Sequence, residues 1–139
     1  MGAQTEVYVD VSVTGGSAAT STKSAGAGSN VAYSGGTNDW NNPGNITSSN
    51  NSYATSMFMV GAGTPTKYLK ATEFSFEIPD GATINGIECF IERKYATAAV
   101  RDVKVQILNG DGSAGVGSTN KADTGSDWPT SDGTATYGG

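Results

Sequence analysis

The sequence predicts an all-β protein, an antiparallel β-sandwich of jelly-roll-like form with little or no helix, and three observations carry that prediction. The first is a period of two between Phe74 and Leu108. Phe74, Phe76 and Ile78 alternate with Ser75 and Glu77. Ile87, Cys89, Ile91 and Tyr95 share one side of the next run, opposite Glu88, Glu92 and Lys94. Val103, Val105 and Ile107 then oppose Asp102, Lys104 and Gln106. Such alternation gives strands one buried and one wet face. The second observation is that no window carries the 3.6-residue apolar stripe of a surface helix. The third is composition: 139 residues, 36% hydrophobic and 9% aromatic, make one domain with a thin core. Two small sheets sharing a single layer of side chains suit so little apolar material.

Taken in order, Val7, Val9, Val11 and Val13 alternate with Tyr8, Asp10 and Ser12 and predict an N-terminal strand. Residues 14–36 are mostly Gly, Ser, Ala, Thr and Asn, with Val31 and Tyr33 alone to bury. That segment cannot offset its own ordering entropy, so it reads as a linker or as an arm that orders against a neighbour. The chain therefore divides into residues 1–37, a strand plus a Gly/Ser/Ala-rich arm, and residues 38–139, the sandwich domain. Residues 38–45 cluster turn formers around Trp40, whose ring is expected to plug the end of the sandwich.

Residues 52–60 read as a strand and 61–65 as a turn. Residues 67–70 begin another strand that runs on, through a bulge, into residues 73–78. Pro79-Asp80-Gly81 is a turn in which Pro presets one dihedral and Gly accepts a positive one. Asn85-Gly86 lies too near Ile84 and Ile87 to separate two long strands, which predicts a kink or bulge within one. Residues 109–112 close the third run, Trp128 anchors the polar stretch before it, and Ala135-Thr136-Tyr137 forms a last short strand.

Function classes narrow by chemistry. A net charge of −5, with eight scattered basic residues, argues against nucleic acid or an anionic membrane surface as partner. No apolar run approaches the roughly 20 residues of a membrane-spanning helix. The start, Met1 to Glu6, has neither the basic nor the apolar region of a secretory signal. Cys89 is the single cysteine, expected inward as a reduced thiol. Without histidine there is no Ser-His or Cys-His nucleophile system and no imidazole ligand for zinc. Glu88 and Glu92, four apart on one strand face, stand about 13 Å apart in extended geometry, too far for a glycosidase pair.

Residues 110–115 match a dinucleotide fingerprint in form, but the sequence after them does not propagate the helix that motif needs. Asn109, Asp111 and Ser113 begin like a calcium loop, with Ala114 where glycine is required and Asn120 where a bidentate Glu is required. Asn45-Ile46-Thr47 and Asn50-Asn51-Ser52 have the form of glycosylation acceptors and read as chance in so Asn/Ser/Thr-rich a chain. No catalytic, cofactor-binding or metal-binding set emerges. Trp40, Tyr53, Tyr68, Trp128 and Tyr137 remain as rings that either stack on a ligand or cap the core.

One block points further. Phe74-Ser75-Phe76-Glu77-Ile78-Pro79-Asp80-Gly81-Ala82-Thr83-Ile84-Asn85-Gly86-Ile87-Glu88, together with residues 40–45, residues 51–55, Tyr68-Leu69, Trp128-Pro129 and Tyr137-Gly138-Gly139, resembles a β-sandwich module of bacteriophage structural proteins. That module occurs in tail-fibre, adhesin-like and other virion-surface polypeptides. The resemblance covers roughly residues 38–139 and implies no shared catalytic set and no cofactor. Members continue past the Tyr-Gly-Gly with further strands, so the missing strands are expected either from more sequence or from another subunit.

The expectation is a non-enzymatic virion structural protein of a tail fibre, tail or capsid-surface decoration. It is made in the host cytoplasm and assembles with copies of itself and other virion proteins. The alternative is a receptor- or carbohydrate-binding module whose partner is a host-surface glycan.

Overall fold

The computed structural model describes residues 3–15, 20–58, 65–110, 115–117 and 120–138, the first stretch as backbone. The fold is all-β. Among the described residues seven strands form and no α-helix: β1 (Ala3–Gly15), β2 (Thr20–Ser24), β3 (Ala27–Val31), β4 (Ala54–Phe58), β5 (Tyr68–Thr72), β6 (Ile84–Tyr95) and β7 (Gly133–Gly138). One 3-10 turn spans Pro43–Thr47. The larger sheet runs β2-β1-β6-β7 with β4 also paired to β1, and β3 and β5 make a second, two-stranded sheet.

β1, the valine strand, is central. One edge pairs antiparallel with β6 over nearly its whole length, Val9 opposite Ile91 and Val11 opposite Cys89. The other edge is shared, Ala3–Val7 pairing with β4 and Asp10–Thr14 with β2. The first residues therefore belong to the same sheet as the strands after residue 38.

The segment expected as a linker or arm instead holds two strands, both paired within the chain. β2 folds back on β1, and β3 pairs with β5, Ala27 opposite Thr72 and Val31 opposite Tyr68. All five residues of β2 are exposed, so it contributes ladder hydrogen bonds and needs no apolar side chain.

Two alternating runs are not strands. Regular structure stops at Thr72, and positive φ at Glu73 (63°) and Ser75 (51°) takes residues 73–78 out of the extended region. Residues 100–108 form a strap without a continuous ladder, and the expected facing is reversed at Asp102 and Val103 but kept at Lys104, which is exposed, and Val105, which is half-buried. Asp102 is buried, while Val103 is 50% exposed and Ile107 40%. The strap is held by scattered bonds: Trp128 N–H to the Val100 carbonyl (2.8 Å), Lys121 N–H to that of Val105 (3.0 Å), and the Asn120 amide, which donates to the Val103 carbonyl and accepts from Val105 N–H.

The middle run forms β6, and Thr14 pairs with Gly86 while Gly15 pairs with Ile84, leaving Asn85 as the bulge residue. Ala82 N–H closes the Pro79 turn at 3.1 Å, with Gly81 at φ 77°. Residues 61–64 of the turn expected at 61–65, and Asp111 and Gly112 of the close expected at 109–112, lie outside the described residues.

The core is a cluster of Trp40, Ile46, Ala54 and Trp128. Leu69 and Ala71 of β5 and Cys89, Ile91 and Tyr95 of β6 pack against it, as does Phe74. The Asn30 side chain fixes Trp40 by bonding both its backbone N–H and its carbonyl, at 2.8 Å each, and the indole N–H donates to the Lys67 carbonyl at 2.9 Å. Pro43 opens the 3-10 turn that carries the fully buried Ile46 inward. Gly28 lies so close beneath that turn that a Cβ there would fall on the Pro43 carbonyl and the Ile46 side chain.

Two substitutions test this junction by urea unfolding followed by tryptophan fluorescence. Ile46→Ala is expected to lower stability by about 2–5 kcal/mol, as deletion of a buried aliphatic does. Gly28→Ala is expected to destabilise as well, because backbone rather than a mobile side-chain end must give way.

Candidate functional site

Three places gather polar or unfilled groups. The first is buried. Arg93 sits on β6 at the alternate positions of Cys89, Ile91 and Tyr95, so its guanidinium points to the core face. It meets Asp102 from the strap in an ion pair whose side chains are 9% and 3% exposed. Four donors satisfy that carboxylate: Arg93 Nη1, the Trp128 indole N–H at 2.8 Å, the Tyr137 hydroxyl at 2.6 Å and the Asp123 backbone N–H at 3.1 Å. Arg93 also donates to the Tyr137 hydroxyl and lies 4.9 Å over the Trp128 ring. Burial, then the Asp102 carboxylate, raises the Tyr137 pKa above the usual phenol value. The cluster is closed and internally matched, which describes a structural clasp.

The second lies around β6 residues Glu92 and Lys94. The Glu92 carboxylate accepts from the Ser49 hydroxyl (2.7 Å) and the Tyr53 hydroxyl (3.2 Å). Lys94 pairs with Asp132 at 3.0 Å and stands 4.6 Å over the Tyr53 ring. Burial pushes the Tyr53 hydroxyl up to about 12, the Asp132 and Glu92 carboxylates adding to it and Lys94 opposing. Asp132 is held below the ordinary carboxylate value, chiefly by its bond to Lys94.

The third is a cleft of about 170 Å³ beside the end of β7, between the strap and the start of β6. Ile87, Cys89, Val105 and Ile107 line it, with Lys121 and Tyr137.

Of the five aromatic candidates, Trp40, Tyr53, Trp128 and Tyr137 are buried, and Tyr68 is half-buried against Tyr33 at 4.8 Å between ring centres. Trp128 and Tyr137 meet through Arg93 and Asp102; Trp40 joins Trp128 in the core; Tyr53 belongs to the Glu92 cluster; Tyr68 stands apart. Arg93 and Asp102 were not among the expected residues. The signal for Arg93 was present, since it continues the apolar series Ile87, Cys89, Ile91.

Among the described residues no group of three His, Cys, Asp or Glu side chains is placed to hold a metal ion. Asp111, Ser113 and Ala114 of the calcium-like run lie outside them, and Asn120 spends its amide on the strap. Asn45, of the first glycosylation-like triplet, donates its amide to the Tyr53 carbonyl at 3.2 Å. No helix among the described residues is long and apolar enough to cross a membrane. Comparison with protein families, curated proteins and solved structures finds no match.

Asp102→Ala is expected to cost about 3–5 kcal/mol in urea unfolding, because it leaves the Arg93 charge buried and uncompensated. Tyr53 makes a second expectation. Its folded pKa lies above the unfolded value near 10, so its contribution is fully present below pH 10 and is lost as pH rises toward 12. Tyr53→Phe should flatten that part of the alkaline stability profile.

Proposed function

We propose that the chain is a non-enzymatic structural subunit of a bacteriophage particle, in a tail fibre, tail or capsid-surface decoration. In this reading it is a jelly-roll-like β-sandwich that assembles with copies of itself and with other virion proteins. The observation that carries the assembly reading is the outer edge of β7. It ends the large sheet, and among the described residues no backbone hydrogen bond reaches Gly133–Gly138 from the side away from β6. Proteins that stay single protect such edges with charges, prolines or bulges, and β7 has none of these within it.

The sandwich arrangement draws support from the core, where strands of both sheets touch the same four residues. A chain with only 15% charged residues suits contact between like subunits, since few ions need desolvation. The phage assignment rests on the residue 74–88 block and its companions. Glycan binding through stacked rings draws less support, because four of the five candidate aromatics face inward.

Light scattering on the eluate of a sizing column tests the reading. Multimers well above the 14.1 kDa chain mass are expected. A sharp monomer at high micromolar concentration would remove it, and a glycan-dependent change in tryptophan fluorescence would favour the binding alternative.

A further inference from the structure

Two unmatched features of this chain fit one another. The acceptor is the edge of β7, where Thr134, Ala135 and Thr136 present a ladder unpaired among the described residues. Its last residues, Tyr137 and Gly138, border the cleft lined by Ile87, Val105 and Ile107. Lys121 stands at that cleft, exposed and without an ion pair among the described residues. An open ladder beside an apolar slot is the arrangement by which sheets take up an added strand: main-chain bonds give affinity, and a pocket selects alternate side chains.

The donor is the connection between β5 and β6. Residues 74–78 have the side-chain pattern of a strand, yet among the described residues their backbone groups make no backbone hydrogen bond. Ser75 is held at φ 51°, a left-handed conformation unfavourable for a non-glycine residue that an extended path would relieve. Phe74 roots the segment in its own core, whereas Ile78 stands 43% exposed. From Glu73 to Thr83 the connection carries Glu73, Glu77 and Asp80 and no basic residue. Asp80, two residues beyond Ile78, lies in the Pro79 turn and is exposed beside the end of the segment.

We infer that residues 75–79 of a second copy add as a strand to the free edge of β7, seating Ile78 in the cleft and bringing Asp80 to Lys121. This rests on the self-assembly proposed above and names the contact that performs it. Because donor and acceptor are different surfaces, each copy offers one of each, and the contact propagates to a ring or a filament according to the rotation between neighbours.

A charge exchange tests it, read as the concentration dependence of assembly by light scattering, with near-ultraviolet circular dichroism to verify the fold. Asp80 and Lys121 are both exposed, so neither variant disturbs the core. Asp80→Lys and Lys121→Asp are each expected to weaken assembly about tenfold or more through like-charge contact, and the double variant to recover it. Ile78→Ser should weaken it independently. If the single variants assemble like the unaltered chain, or the double variant is no better than they are, this contact is wrong while self-assembly stands. A monomeric unaltered chain overturns both.

Discussion

The buried pair of Arg93 and Asp102 is the constraint around which the rest of this structure is arranged. Taking two opposite charges out of water costs more than their attraction returns unless the remaining donors and acceptors are also met. Here they are met by groups from separate parts of the chain: the Trp128 indole, the Tyr137 hydroxyl and the Asp123 amide. The pair therefore binds β6, the strap, the 120–128 loop and β7, where backbone ladders alone join only β6 to β7. The irregular path of residues 100–108 follows from it. Turning Asp102 inward to face Arg93 sends Val103 outward.

That one demand explains much of what the sequence did and did not disclose. β6 was legible because its alternation is long and meets an apolar layer on one side. The bulge at Asn85 and the Pro79 turn were legible because Gly, Pro and Asn there act through local backbone preferences. Residues 100–108 alternate just as cleanly, yet an ion pair with a residue on another strand outweighs two exposed valine-sized side chains. Pattern reading assumes that the apolar set faces in. It fails where a buried cation sets the facing, and Arg93 among Cys89, Ile91 and Tyr95 was the visible warning.

β3 was hidden because the residues it half-buries, Ala27, Gly28 and Asn30, are small or polar, and β2 for a different reason. A strand that pairs on a neighbour's edge and keeps every side chain in water leaves no apolar signature, only a backbone able to extend. Segment composition measures what a stretch can bury, and Thr20–Ser24 buries nothing. The candidate site divides in the same way. The sequence could name Trp40, Tyr53, Trp128 and Tyr137 as rings of interest, but which way each faces depends on polar partners far along the chain. Asn30 clamps Trp40, Asp102 receives Trp128 and Tyr137, and Glu92 takes the Tyr53 hydroxyl.

The central place of β1 has a consequence for how the protein comes into being. Its valines pair with β6 residues that emerge roughly 80 positions later, and such distant contacts make for slow folding. On a ribosome adding about 5–20 residues each second, that delay is on the order of 4–16 s, whereas the β1–β2 hairpin can close within about 10 μs. One edge of the nascent strand is thus covered almost at once, over Asp10–Thr14, while the opposite edge waits, sticky and unpaired, for most of translation. A crowded polysome is where this chain is most exposed to pairing with the wrong neighbour.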